Sequence, residues 1–233
     1  MYVESVSRFV LYNTHSNISN TGTGLTRDEM REVLRLCDRL EHVKVLSDFN
    51  RTCPPTHVLT RCGEDRYARR TLKYLSGIAM GIWILDIKWL RDCAKSRKWI
   101  EETPYEILGD LTGLENGPRE SRIARKERKP KLFEGFCFDL EGKWEDDERR
   151  MKRSDVRRLL KLCGAKEKAG TDGRKRLRVF CEPSKLTLGG SSSSSSEEDE
   201  KELVVHLDWI LNCISTNQVL PVDEICGMLR VND

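Results

Sequence analysis

The stretch WILDIKWLRDCAKSRKWI, from Trp83 to Ile100, occurs twice in this chain in related form. Its counterpart is LVVHLDWILNCISTNQVL, from Leu203 to Leu220, and the two align without a gap at an offset of 120 residues. Each begins with an apolar run typical of a buried strand and continues with a helical pattern, in which Trp and Cys stand four residues apart on one face. The pattern predicts a strand followed by a helix, used twice.

A second pair of similar segments lies upstream of the first pair. MREVLRLC, from Met30, matches VRRLLKLC, from Val156, at an offset of 126 residues, and both have the apolar spacing of an amphipathic helix. Strands that alternate with helices favour an α/β unit with a parallel sheet. We therefore predict two copies of one unit, at 1–109 and 131–233. The linker, at 110–130, contains Gly, Asn and Pro followed by a basic run.

The two copies differ in the interval between their matched helices. The first copy contains DRYARRTLKYLSGIAMG, where apolar residues at helical spacing predict a helix: Ala68, Leu72, Leu75 and Ala79. The second copy contains six serines followed by acidic residues, near 187–201, and such a segment buries too little apolar area to order itself. We expect a disordered loop there, so a function that needs the helix lies in the first copy.

Composition limits the classes of protein to which the chain can belong. Hydrophobic residues make up 38% and charged residues 34%, the balance of a soluble globular protein. The net charge of +3 does not by itself favour nucleic acid. No apolar run reaches the roughly 20 residues of a membrane span, and the first residues, MYVESVSRFVLYN, lack the pattern of a signal peptide. We therefore expect no membrane partner.

The nine cysteines include no CxxC pair, and several stand inside apolar runs such as VLRLC and LLKLC. This usage fits reduced, buried thiols of the cytosol or nucleus. The close ligand pairs of a zinc site are missing from the sequence, so we expect no metal and no cofactor.

The segment NTGTGLTRDEM, residues 20–30, predicts a helix start. Thr26 and Glu29 have the spacing of a capping box, so the helix begins at about Thr26. Thr23 and Gly24 lie directly before it, where a hydroxyl and a backbone amide would point toward the positive end of the helix dipole. The arrangement is either an anion site or a simple turn.

Two cations stand beside the apolar stripe of the helix predicted in the first copy. Arg70 and Lys73 are three residues apart, so on a helix they share a face. A lysine at such a border ordinarily extends to solvent. The alternative is a fixed cation that completes a phosphate site with Thr23 and Gly24, where a charge-assisted hydrogen bond contributes about 1.5–3 kcal/mol.

Several motifs resemble those of the BRCT repeat family. They are GLT at 24–26, RTLKYLSGIAMGIWIL with KWL within 70–90, GPRESR with PKLFEG within 117–135, LKLCGA at 160–165, and DWIL with LPVD within 208–223. Trp89 and Trp209 fall at the family's signature tryptophan in the last helix of each repeat. The resemblance covers nearly the whole chain. It is to tandem BRCT repeats, in particular those of two RING-containing partner proteins of DNA repair, and the motifs do not separate these two.

This resemblance implies a small parallel four-stranded sheet flanked by helices in each repeat, with the two repeats packed head to tail. It also implies a nuclear module that binds phosphoserine peptides in DNA-damage signalling. The phosphate would be held by Thr23, Gly24 and Lys73. Thr14 or Thr21 could supply the hydroxyl in place of Thr23.

The resemblance further implies a groove between the repeats that reads the residue three positions after the phosphoserine. Arg70 would contact the peptide main chain, and an apolar slot would be lined by Leu75, Met151 and Leu211. Because Leu75 stands where the family often has an aromatic residue, a preference for phenylalanine in the slot stays open. The implied partners are phosphorylated nuclear proteins and, for the full-length protein, a RING heterodimer partner. Ubiquitin ligase activity would belong to a RING domain, whose cysteine pattern these 233 residues lack.

Two other functions fit parts of the sequence. RESRIARKERKPK, residues 119–131, has seven basic and two acidic residues, and GRKRLR follows at 173–178. Such runs attract a nucleic-acid backbone or the acidic face of a nucleosome, and the resemblance also implies histone recognition. The other alternative is a structural interaction domain with a degenerate pocket. An enzyme is not expected, because none of the four histidines stands near a nucleophile motif.

Overall fold

The computed structural model of the chain describes residues 8–12, 24–40, 43–46, 54–142, 144, 151–167, 173–181 and 202–222. The first half contains β1 (Arg8–Tyr12), α1 (Arg27–Cys37), β2 (Val43–Leu46), β3 (His57–Thr60), β4 (Tyr67–Ala68), α2 (Leu72–Met80), β5 (Trp83–Asp86) and α3 (Lys88–Ser96). A short 3-10 helix (Thr103–Tyr105), β6 (Gly109–Asp110) and α4 (Gly117–Lys126) follow. The second half contains β7 (Phe136–Glu141), α5 (Arg153–Leu162), β8 (Lys166–Glu167), β9 (Lys175–Phe180), β10 (Glu202–His206) and α6 (Leu207–Thr216).

Each half forms one four-stranded sheet in which every pairing is parallel. The strand orders are β2-β1-β3-β5 in the first half and β10-β9-β7-β8 in the second. Strands β4 and β6 pair separately as a two-stranded parallel sheet. The predicted α/β class, with one small parallel sheet per repeat, is confirmed. The serine-rich segment near 187–201 lies outside the described residues, so the expectation of a disordered loop stays a prediction.

The repeated strand–helix segment has the same structure in both copies. Trp89 and Trp209 are at most 1% exposed. Each indole Nε1 donates a hydrogen bond of 3.1 Å to the carbonyl oxygen eleven residues later, on Ile100 and on Leu220. The cysteines four residues after each tryptophan are also buried. The alignment made from the sequence thus pairs residues that have equivalent places in the two repeats.

The helix predicted across residues 65–81 begins later than its apolar spacing indicates. It starts at Leu72, because the Thr71 hydroxyl caps it by accepting a hydrogen bond of 3.2 Å from the Tyr74 amide. Ala68 belongs to β4 instead, and its carbonyl accepts a hydrogen bond of 3.0 Å from the amide of Leu111. The inclusion of Ala68 in the helix is therefore wrong, since the returning chain offers its backbone a strand partner.

Helix α2 carries most of the packing between the two repeats. It lies against α5 and α6 of the second repeat and against α4. Three of its side chains, Tyr74, Leu75 and Ile78, are at most 1% exposed. They share one hydrophobic core with Phe133 and Trp209 of the second repeat. A separate core cluster in the first repeat includes buried side chains of α1 and α3.

The stretch between the repeats, predicted as a linker, contains a helix. Helix α4 packs against α2 and β5 of the first repeat and against α6 of the second. It begins after Asn116, which has a φ of 70°, and Pro118 stands in its first turn, where a missing amide proton costs nothing. The sequence carried this signal as Asn-Gly-Pro before a run of helix-forming residues.

Arg122 holds α4 against the first repeat. Its guanidinium makes two hydrogen bonds to the Glu106 carboxylate, at 2.7 and 2.8 Å, and lies 3.7 Å from the centre of the Trp83 ring. The Glu106 side chain is only 6% exposed, so Arg122 supplies hydrogen bonds that water would otherwise make to this carboxylate.

We expect Arg122→Ala to lower the free energy of unfolding by about 2 kcal/mol, because it leaves a nearly buried carboxylate unpaired. The stability of Arg122→Lys should lie between that of the alanine variant and that of the wild type, since lysine keeps the charge but not the forked geometry. Urea denaturation followed by circular dichroism measures both variants. A lysine variant as stable as the wild type would show that charge alone, and not the paired hydrogen bonds, holds α4.

No helix within the described residues is long and apolar enough to cross a membrane. The same residues contain no group of three or more His, Cys, Asp or Glu placed to hold a metal ion.

Candidate functional site

The start of α1 has the capping box predicted from the sequence. The Thr26 hydroxyl accepts a hydrogen bond of 3.2 Å from the Glu29 amide, and Glu29 Oε2 accepts one of 2.8 Å from the Thr26 amide. Gly24 is buried two residues before this cap, with a φ of 92°. Only glycine adopts that backbone conformation readily, so Gly24 lets the chain turn tightly into the helix. Thr23, Thr14 and Thr21 lie outside the described residues.

Lys73 and Arg70 flank the cap of α2 and do not lie on one helix. Lys73 is the second residue of the helix and is half-buried, whereas Arg70 precedes the Thr71 cap. The expectation that the two cations share a helical face is therefore wrong for Arg70. Its position before the cap directs the side chain elsewhere.

Arg70 reaches across to the second repeat. Its Nη1 donates a hydrogen bond of 2.6 Å to Asn212 Oδ1 on α6. Asp208, one turn earlier on α6, has a pKa below its ordinary value, chiefly because of a hydrogen bond with His206 and also because of the positive charge of Arg70. Arg70 thus fixes the residues just before α2 against the middle of α6. Sequence reasoning missed Asn212, because no local pattern identifies a partner 142 residues away.

The starts of α1 and α2 both lie at the carboxyl edge of the first sheet. Glu29, in the first turn of α1, is 3.7 Å from the guanidinium of Arg61, directly after β3. The next residue, Cys62, forms a β-bridge with Ala68, four residues before α2. Open parallel sheets bind ligands at this edge, where helix N-termini carry partial positive charge. Gly24 and Lys73 therefore belong to the same side of the first repeat.

The three residues predicted to line an apolar slot differ in accessibility. Leu75 has no exposed surface and Leu211 is 9% exposed, and both belong to the core that the repeats share. Met151, half-buried, packs against the edge of that core. The Leu75 side chain, which is fully buried, can only pack beneath the residues that line such a slot. Met151 has exposed side-chain surface that can contact a ligand directly.

The two basic runs of the sequence have different surroundings. In the run at 173–178, Arg176 pairs with Asp139 at 2.7 Å and Arg178 with Glu141 at 2.6 Å. The linker helix and its end present cations that are exposed: Arg119, Arg125, Lys126, Arg128 and Lys129. Of the two runs, the linker is therefore the one whose positive charge faces solvent with fewer carboxylates beside it.

The chain is a pair of tandem BRCT repeats. Each repeat has a four-stranded parallel sheet whose last strand leads into a helix with a buried tryptophan, and α2 joins the two repeats. Among solved structures, the BRCT5-BRCT6 domains of S. pombe Brc1 match with a TM-score of 0.60 at 16% identity, over 93% of this chain and 95% of that one. The complex of Rtt107p with a phosphorylated histone matches with a TM-score of 0.57 at 16% identity, over 93% and 89%.

Curated sequences include relatives with higher sequence identity than these two solved structures. BRCA1-associated RING domain protein 1 of Mus musculus is 32% identical over 221 residues, which are 87% of this chain and 27% of that protein. The breast cancer type 1 susceptibility protein homolog of Mus musculus is 29% identical over 217 residues, 89% of this chain and 11% of that protein. The chain thus spans less than a third of either relative. No family model matches the chain.

Proposed function

We propose that this pair of repeats binds phosphoserine peptides in the nucleus, in DNA-damage and repair signalling. The phosphate is held by the Thr23 hydroxyl, the Gly24 amide and the Lys73 ammonium. Arg70 contacts the peptide main chain beside it. The proposal rests above all on the contact between Arg70 and Asn212, because it fixes the residues just before α2 at the junction of the repeats, and Lys73 lies in the first turn of that helix.

The charges at this edge suit a phosphate. A phosphoserine carries about −1.5 to −2 charges at neutral pH and offers strong acceptor oxygens. The starts of α1 and α2 contribute about half a positive charge each, and Lys73 and Arg70 add two full charges. An unmodified serine has no charge to satisfy these groups, so the site distinguishes the phosphorylated form from the unmodified one.

One of the matched structures supports the same class of ligand. Rtt107p, which shares the fold, forms a complex with a phosphorylated histone. The sequence relatives are the breast cancer type 1 susceptibility protein and BRCA1-associated RING domain protein 1, so a RING-containing heterodimer partner is proposed for the full-length protein. We extend the proposal to a peptide with phenylalanine three positions after the phosphoserine, received by the slot of Leu75, Met151 and Leu211.

Fluorescence anisotropy with three labelled peptides tests this function. A pSer-x-x-Phe peptide should bind at least about tenfold more tightly than its unphosphorylated twin, a difference of about 1.4 kcal/mol. Equal binding of the two would refute the phosphate site. A pSer-x-x-Ala peptide tests the slot separately, since equal affinity of the Phe and Ala peptides would remove the slot and leave the phosphate site intact.

The exposed cations of α4 favour one alternative, a contact with a nucleosome or with nucleic acid. Such binding would fall steeply as salt rises, because each neutralised phosphate releases a counterion. It would also be indifferent to phosphorylation of a peptide. If the chain melts cooperatively but binds neither the phosphopeptide nor a nucleosome or nucleic acid, it is a structural interaction domain with a degenerate pocket.

A further inference from the structure

A cavity of about 340 Å³ lies between the two repeats, at the end of α2 opposite to Lys73. We propose that it is a second ligand site, which takes an acidic peptide segment with an apolar anchor residue. We call it the inter-repeat cavity. It is enclosed by the C-terminal ends of α2, α5 and α6 and by the second half of α4 with the residues that follow it.

The floor of the inter-repeat cavity is apolar. It is formed by side chains from both repeats and from the segment after α4: Ile78, Met80, Leu132, Leu162 and Ile214. A volume of about 340 Å³ is at the lower end of the range for ligand pockets. Water is a poor occupant of apolar walls, whereas one or two large apolar side chains fit them.

The rim of the inter-repeat cavity is basic. Arg125, Lys129 and Lys131 line it, and none of the described residues that line it is acidic. Arg125 is held in place, because its Nη1 donates a hydrogen bond of 3.1 Å to the Met80 carbonyl at the end of α2. Burial raises the pKa of the Cys163 thiol to about 12, and the nearby positive charge of Lys131 opposes only part of this rise. The partner should therefore carry acidic residues beside its apolar one.

Two kinds of negative charge, helix C-termini and carboxylates, reduce this positive excess without cancelling it. The C-terminal ends of four helices, α2, α4, α5 and α6, border the inter-repeat cavity and bring about half a negative charge each, about 2 in total, against three cations. Glu127 pairs with Lys129 at 2.7 Å, but the two side chains are 50% and 62% exposed. Such a pair contributes little and can exchange for a carboxylate of a partner. Arg125 and Lys131 then supply the positive charge that remains. Glu134 lies beside Lys131, and its Oε2 accepts a hydrogen bond of 2.9 Å from the Lys131 amide.

The inter-repeat cavity and the phosphate site occupy opposite ends of α2. A helix of nine residues is about 13 Å long, since each residue adds about 1.5 Å. The two sites are therefore separate, and both can be occupied at once. A nucleic acid fits this cavity less well than a peptide does, because its phosphates match the rim but leave the apolar floor unfilled.

A fluorescein-labelled peptide, EDLFDE, provides a direct probe of the inter-repeat cavity. We expect saturable binding below about 1 mM and NMR shifts centred on Ile78 and Lys131. Lys131→Glu should weaken binding at least about tenfold by charge repulsion, and Ala124→Leu, which fills part of the cavity without changing a charge, should weaken it as well. The matched control is Lys126→Glu on α4, outside the cavity, with a change below about twofold.

Several results would overturn the site. They are the absence of saturable binding, equal affinity for the peptide EDSSDE, an equal loss in Lys126→Glu, or competition with a pSer-x-x-Phe peptide. A DNA duplex that binds through Lys131 where EDLFDE does not would assign the rim to nucleic acid. Affinity for the pSer-x-x-Phe peptide should be the same in Lys131→Glu as in wild type, so failure here and failure of the phosphopeptide function are distinguishable.

Discussion

Gly117→Ala is expected to destabilise the chain by about 3 kcal/mol or more, at the upper end of what overpacking costs. A β-carbon at Gly117 would lie 1.9 Å from the carbonyl oxygen of Ser215 and 2.6 Å from its carbonyl carbon. Both are backbone atoms of α6, so no side-chain rotation can relieve the contact. The first turn of α4 would have to move away from α6, which opens the packing between the linker and the second repeat.

This result is informative because helix propensity predicts the opposite sign. Alanine stabilises a helix by up to about 1 kcal/mol relative to glycine, so a gain in stability would mean that α4 and α6 do not approach as closely as described. Arg119→Ala, an exposed change in the same turn, should stay within about 0.5 kcal/mol of wild type. Urea denaturation of both variants measures the difference, and the phosphopeptide titration of Gly117→Ala shows whether the junction of Arg70 with α6 moves with it.

Lys73→Met should lower the affinity for a pSer-x-x-Phe peptide by about 10- to 150-fold. The estimate follows from the loss of one charge-assisted contact to a phosphate, worth about 1.5–3 kcal/mol. Methionine keeps much of the length and apolar character of the lysine side chain, so packing at the start of α2 is retained. Isothermal titration of the wild type and the variant with the same peptide measures the effect.

A double-mutant cycle isolates the part due to phosphate. Lys73→Met is combined with removal of the phosphate from the peptide, and a coupling of about 1 kcal/mol or more identifies a direct interaction. Lys88→Met, an exposed lysine in the first turn of α3, is the matched control and should bind like wild type. Two results would show that Lys73 does not hold the phosphate. In the first, Lys73→Met lowers the free energy of unfolding by as much as it lowers the free energy of binding. In the second, it weakens binding of the phosphorylated and the unphosphorylated peptide equally.

The sequence alone determined the features that depend on short stretches of chain. The repeat offset predicted two α/β units and paired Trp89 with Trp209, whose indoles make the same hydrogen bond in the structure. The T-x-x-E spacing predicted the capping box at Thr26, because cap and partner are three residues apart. The motifs that carry the BRCT resemblance lie within such stretches as well, and the fold confirms them.

Tertiary structure decided what depends on residues far apart in the chain. It made helix α2 begin after Thr71 and not at Ala68, because β6 supplies a strand partner for Ala68. It directed the Arg70 side chain to Asn212 on the other repeat. It also turned the basic linker into a helix packed between both repeats and closed a cavity behind it. Local spacing encodes capping and amphipathic faces within one or two turns. Which faces meet is settled by the joint burial of apolar surface from both repeats, and no single segment contains that information.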